Sequence, residues 1–235
     1  MLSAEFRKAE NTMKRTKLSQ RVLPSYCRGE ELTNMITHIV GGGIAVVVLA
    51  LCVLRAALHG SAMACVGASV YGVCMVALYA MSSIYHGLRP GIAKLVMQVM
   101  DHCTIYFLIA GTYTVIALTA LYRVSPLLCW TALAVEWGLT IIAVTLTAID
   151  LHHYRIFSMI CYIGMGWCVV FFLPQTMRAL TAPGFLLLFA GGVAYSIGAI
   201  LYGIGAKKPW YHSVFHVFVV VGSVLQFLSI FFYAL

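Results

Sequence analysis

Seven runs of apolar residues, near 32–57, 62–86, 97–121, 126–149, 156–178, 183–205 and 210–234, take up almost the whole sequence. A helix needs about 20 apolar residues to cross the hydrocarbon layer of a bilayer, and each run reaches that length. The runs are continuous and lack the ten-residue alternation of barrel strands, so the spanning elements are expected to be helices. Hydrophobic residues make up 62% of the chain and charged residues 9%, whereas a water-soluble globule carries about 25% charged residues. The expected architecture is therefore an all-α integral membrane protein, a seven-transmembrane-helix bundle. The connections leave no room for a soluble domain. The chain divides into a basic cytoplasmic tail over 1–29 and a seven-helix transmembrane domain over 30–235.

The tail has no apolar core and no small-residue cleavage site, so it is not read as a removable signal peptide but as a mobile or surface-lying segment. Seven of the fifteen Lys and Arg residues lie in it, so the net charge of +8 points to anionic lipid headgroups and not to nucleic acid. With the N-terminus inside, twelve positive residues fall on the inner side and only Arg55, Arg123 and Arg178 on the outer. The positive-inside rule then places the N-terminus inside and the C-terminus outside.

Polar residues in such spans are expensive and therefore informative. His212 and His216 stand four apart in PWYHSVFH at the start of the last span, on one helical face. The second span ends MSSIYH, with Ser82 and His86 also four apart. The third opens VMDHCTIY, with Asp101 and His102. The alternating topology brings all of these to one membrane layer at the inner side. Two His at that spacing and a third from another helix match a catalytic-type zinc shell, which leaves one position for water. Asp101 could take the metal directly, orient a ligand, or accept a proton from bound water. Taken singly, Ser82 would bond a backbone carbonyl and Asp101 would complement a helix N-terminus. His102 points about 100° away from Asp101 and is left out of the ligand shell.

The first span opens EELTNMITH, which sets Glu31, Asn34 and His38 on successive turns near the same side. They could support the site, Asn34 and His38 in particular, or form a polar seam between helices. Glu136 sits mid-span as a proton-relay or packing residue without a visible partner. His59, His152 and His153 belong to loops. The eight cysteines, with no C-x-x-C pair, read as apolar filler and not as a disulfide framework. Gly41-Gly42-Gly43, Gly164-x-Gly166 and Gly191-Gly192 read as points of close helix approach.

MSSIYH, DHCTIYFLIAGTYT, GGVAYSIGAILYGIGAKKPWYHSVFHVFVVVGS and EELTNMITH together resemble the haemolysin III branch of the progestin and adipoQ receptor family, over essentially all of 30–235. The resemblance implies seven helices with the N-terminus inside, in the plasma (inner) membrane of a bacterium, and Zn²⁺ near the cytoplasmic face. Its histidine ligands correspond to His86, His212 and His216, and its acidic and hydroxyl positions to Asp101 and Ser82. The likeness of such sites to membrane ceramidases implies a zinc-dependent amidase or esterase acting on a membrane lipid with an acyl chain. The branch name implies the alternative, a pore-forming, cytolytic protein or a membrane receptor or regulator with a structural zinc. Two departures, GTYTVIAL without a proline after the threonine and Gln226 where a late histidine is common, touch helix geometry and partner contacts but none of the ligand positions.

Overall fold

The computed structural model describes residue 16 and residues 18–235. The helices are α1 (Arg28–His59), α2 (Ala62–Gly87), α3 (Ile92–Val124), α4 (Pro126–Ile149), α5 (Arg155–Gly166), α6 (Leu173–Gly205) and α7 (Tyr211–Ala234). A 3-10 turn, Leu18–Gln20, precedes them, and a 3-10 segment, Cys168–Phe172, joins α5 to α6. No strand occurs among the described residues. Six helical stretches are long and apolar enough to cross a membrane: α1 to α4, the combined stretch Arg155–Gly205, and α7. Their outer faces carry exposed Leu58, Leu127, Ile156 and Phe171, an apolar surface that water would not tolerate and lipid does. The protein is a multipass membrane protein.

The stretch Arg155–Gly205 is not one rod. At 51 residues a straight helix would run about 77 Å, more than twice the hydrocarbon thickness. It reverses at Thr181, which has φ 59° and ψ 169° inside α6. Pro183 lacks an N–H and excludes the carbonyl four residues earlier, so the helix cannot pass through this point unbroken. A β-branched residue at positive φ stores about 1–3 kcal/mol of strain. The reversal is read directly from Trp167, whose Nε1 donates to Ser196 Oγ at 2.9 Å. In a continuous helix those residues would stand about 44 Å apart.

Local sequence explains the other boundaries. Ser61 and Ser125 cap α2 and α4 through their hydroxyls, and Pro126 follows Ser125 at the first helical position. At the start of α1, Cys27 N donates to Glu30 Oε2 at 3.0 Å, and Glu30 Oε1 accepts from Trp210 N at 2.6 Å. Glu30 therefore ties the entry of α7 to the entry of α1. α3 is the buried axis of the bundle and contains a π segment, Ala117–Leu121, beside α4.

Glycine reading succeeds in part. A Cβ at Gly41 would meet the Tyr79 ring at 2.5 Å, and one at Gly191 would meet Gln226 at 2.6 Å, so both are close-approach points. Gly43, Gly164 and Gly166 face open space and permit no helix contact. Periodicity cannot tell a packed glycine from a lipid-facing one, because that depends on helix rotation. Ser223 knits three helices, bonding Tyr79 of α2 and Tyr195 of α6 at 2.7 Å each.

Residues 1–15 and 17, with most of the tail's positive charge, lie outside the described residues. The rest of the tail lies across the histidine-bearing end of the bundle. Thr16 N donates to Asp150 Oδ2 at 2.8 Å, and Arg21 Nη2 donates to the Ile149 carbonyl at 2.8 Å. Burial would raise the Asp150 carboxyl. The N–H groups of Thr16 and His153 and the charge of Arg21 outweigh this and hold it at about 2.

Candidate metal centre

His86 sits in the last turn of α2, and His212 and His216 occupy the first two turns of α7. The Glu30–Trp210 bond and the turn before Tyr211, where Trp210 adopts φ 67°, place α7 so that its histidines face α1 and α2. One ring nitrogen from each of the three imidazoles lies within 4.8 Å of the other two, and all three residues are buried. His212 Nε2 and His216 Nε2 stand 3.1 Å apart. Two nitrogens bound to one tetrahedral ion at about 2.0–2.1 Å would be separated by about 3.3–3.4 Å, close to that spacing. His86 Nε2 is buried without a hydrogen-bond partner among the described residues, a free lone pair where an ion would take it. Three imidazoles converging in this way fit a metal ion.

The other nitrogen of His86 is committed. Its Nδ1 lies 2.7 Å from Glu31 Oε2, and a carboxylate can only accept, so Nδ1 carries the proton. Glu31 Oε1 accepts from Lys94 Nζ at 2.7 Å. Asn34 Nδ2 approaches the same His86 nitrogen at 3.5 Å. The Nδ1 atoms of His212 and His216 have no partner among the described residues. His38 packs its ring 3.9 Å from that of His216 and 5.0 Å from Tyr79, and neither of its nitrogens is bonded.

A cavity of about 170 Å³ opens beside the histidines. Ser82, Asp101 and His102 line its polar end, and it runs between apolar walls to Trp167, Gly192 and Gln226. Ser82 is fully buried, while the Asp101 side chain keeps 16% of its surface. His102 Nδ1 donates to the Gln98 carbonyl at 2.8 Å, so its Nε2 accepts from Tyr202 OH at 3.2 Å. This commits both ring nitrogens of His102 to neighbouring side chain and backbone, away from the triad. The cavity is roofed by Pro24 and Tyr26, the latter stacked on His212 at 4.7 Å and 14°.

The structure thus brings His86, His212, His216, Ser82, Asp101, Asn34 and His38 to one end of the bundle. Glu136 is elsewhere, fully buried in α4 with both carboxylate oxygens unpartnered among the described residues. Sequence reading missed Lys94 and Tyr26. A lysine in the first turn of a span resembles any interfacial charge, and a tyrosine in the tail carries no periodic signal. Only their long-range contacts, across 63 residues for Lys94–Glu31, reveal what they touch.

Comparisons with known proteins identify the family. The family described as Haemolysin-III related matches residues 27–227. The Hemolysin-3 of Bacillus cereus is 38% identical over 95% of this chain and 98% of its own length. The Hemolysin-3 homolog of Bacillus subtilis (strain 168) is 34% identical over 87% and 94%. The human monocyte to macrophage differentiation factor is 24% identical over 68% of this chain and 67% of its own. No solved structure gives a significant match. From the residues that build this buried histidine cluster to the full-length match with bacterial relatives, the chain belongs to the haemolysin III branch of the progestin and adipoQ receptor family.

Proposed function

We propose that the protein crosses the bacterial plasma membrane seven times with its N-terminus in the cytoplasm, binds Zn²⁺ through His86, His212 and His216, and hydrolyses an amide or ester of a membrane lipid. The observation that carries this reading is the junction of a buried three-imidazole cluster with a largely apolar cavity into which His212, His216, Ser82 and Asp101 face at one end. Seven crossings follow when the stretch Arg155–Gly205 is counted as two limbs folded at Thr181. The excess of Lys and Arg at the histidine end supports the orientation.

Bound zinc supplies a Lewis acid and a water acidified to about pKa 7. Asp101, on the cavity wall, would orient a water and accept its proton. Ser82 donates its hydroxyl hydrogen to the oxygen that gains charge at the carbonyl. The apolar walls between Leu108 and Val219 hold the acyl chain, and Tyr26 with Pro24 covers the polar end against the aqueous side.

A second reading is favoured by His38. Its imidazole packs against His216 without a hydrogen-bond partner among the described residues and, on moving into reach of the three clustered histidines, would make a fourth protein ligand, and four-ligand zinc sites are structural. The protein would then be a pore-forming or regulatory protein whose zinc staples α1, α2 and α7.

The test is metal content and reaction together. Wild-type protein purified in detergent should hold about one zinc per chain, and in liposomes it should release fatty acid from lipid amides or esters in a manner abolished by chelation. X-ray absorption showing an oxygen ligand beside three nitrogens supports the hydrolase. Four nitrogens, with leakage of entrapped dye and no released fatty acid, sinks it in favour of the staple.

A further inference from the structure

Of the three clustered histidines, only His86 has a partner for its second ring nitrogen among the described residues. Glu31 Oε2 takes Nδ1 at 2.7 Å, and the second carboxylate oxygen is held by Lys94 Nζ at 2.7 Å. Lys94 is itself buried at 3% exposure, an uncommon place for a lysine. Its other hydrogen bond and its cation–π contact among the described residues fall within two residues of His86. Its ammonium donates to the Leu88 carbonyl at 3.1 Å and lies 5.0 Å above the Tyr85 ring. A lysine serving only to neutralise Glu31 would not need to grip both sides of the histidine.

His86 is also the ligand in need of such control. His212 and His216 are spaced by their own helix and arrive as a pair, whereas His86 comes alone from the end of α2. Its ring can turn about the Cα–Cβ and Cβ–Cγ bonds, and its proton can sit on either nitrogen. Anchoring Nδ1–H on a carboxylate removes both freedoms and leaves the Nε2 lone pair facing the cluster.

On the zinc reading above, we infer that Glu31 and Lys94 are positioning residues for the metal. Glu31 fixes the tautomer and ring angle of His86, and Lys94 acts through Glu31 by clamping its carboxylate from α3. Three helices, α1, α2 and α3, thereby fix one ligand for the pair on α7.

Zinc affinity of the purified full chain, titrated against a chromophoric chelator, reads this directly. Loss of such a partner weakens metal binding about 10–100-fold; E31Q keeps an acceptor oxygen but loses the charge that holds Nδ1–H and Lys94, so it should fall toward the low end of that range. K94M should fall by less, because Glu31 keeps one bond to His86. The double variant E31Q/K94M should bind within about two-fold of E31Q alone, since a residue acting only through another adds nothing once the other is gone. The cobalt-substituted form of E31Q should also shift its d–d bands, which a merely structural loss would not do. E31Q at wild-type affinity overturns the inference, as does a double variant whose loss is the product of the two single losses. Should E31Q fail to assemble, K94M carries the test: weakening there, with K94R holding near wild type, supports the inference, and unchanged affinity in K94M overturns it. Wild-type protein that takes up no zinc overturns the metal reading itself, a result distinct from zinc held equally well by wild type and E31Q.

Discussion

Two buried polar regions of this bundle obey opposite rules. At the histidine end, groups from α1, α2, α3 and α7 meet, and several of the expensive ones are partnered: Glu31 by His86 and Lys94, Glu30 by Trp210 and Cys27, His102 by Gln98 and Tyr202. In the middle of the bundle, Glu136 stands alone, fully buried with both oxygens unbonded among the described residues. In the first region one ring nitrogen from each of His86, His212 and His216 lies within 4.8 Å of the other two, so three donors of one chemistry share a point. The free atoms of the second are two oxygens on one side chain, with the Cys168 thiol beside them and no cluster of donors. Convergence from several helices, more than burial or charge, distinguishes a site from an isolated polar residue.

The comparison is sharpened most by removing convergence itself. His212→Ala leaves two imidazoles of three, and zinc affinity should fall by about three orders of magnitude or more, read by metal analysis after dialysis. Full zinc occupancy in that variant would mean that His38 or Asp101 already completes the shell and that the triad is not the centre. Next in size is Asp101→Asn, expected to keep zinc within a few-fold but lower lipid hydrolysis about 10²–10⁴-fold, the usual contribution of a proton-transferring group. A loss of zinc equal to that of His212→Ala would make Asp101 a ligand.

The lone carboxyl gives an effect of opposite sign. Glu136→Leu removes an unsatisfied buried polar group and should stabilise the protein by about 1–3 kcal/mol, seen as a raised Tm in detergent. Destabilisation of that size would reveal a partner for Glu136 in the membrane and erase the contrast drawn above. The smallest expected change is at the fold-back: Thr181→Gly relieves a positive φ and should be neutral to stabilising by at most about 1 kcal/mol, strain relief being offset by the entropy of glycine in the unfolded chain.

Much of the protein was legible before any tertiary contact was considered. The apolar runs and the four-residue spacings of Ser82 with His86 and of His212 with His216 are local properties. The expected start of the third span at 97 falls within α3, which begins at Ile92 and runs through a π segment to Val124. That shift is harmless, since polar Lys94 and Gln98 obscure the entry of the helix. Glycine was the less faithful guide, because Gly41 packs against Tyr79 while Gly43, two residues on, meets nothing.

What the sequence by itself determined is the membrane class, the helical form of each span and the identity of the histidines worth watching, because hydropathy, helix length and i,i+4 spacing are written within single segments. Only the tertiary structure decided that Glu31 and Lys94 serve His86, that Tyr26 roofs His212, and that the chain folds back at Thr181 to set Trp167 against Ser196. Those facts depend on how far each helix is rotated and slid against its neighbours. That choice is made by packing between segments tens of residues apart and leaves no periodic trace within any one of them.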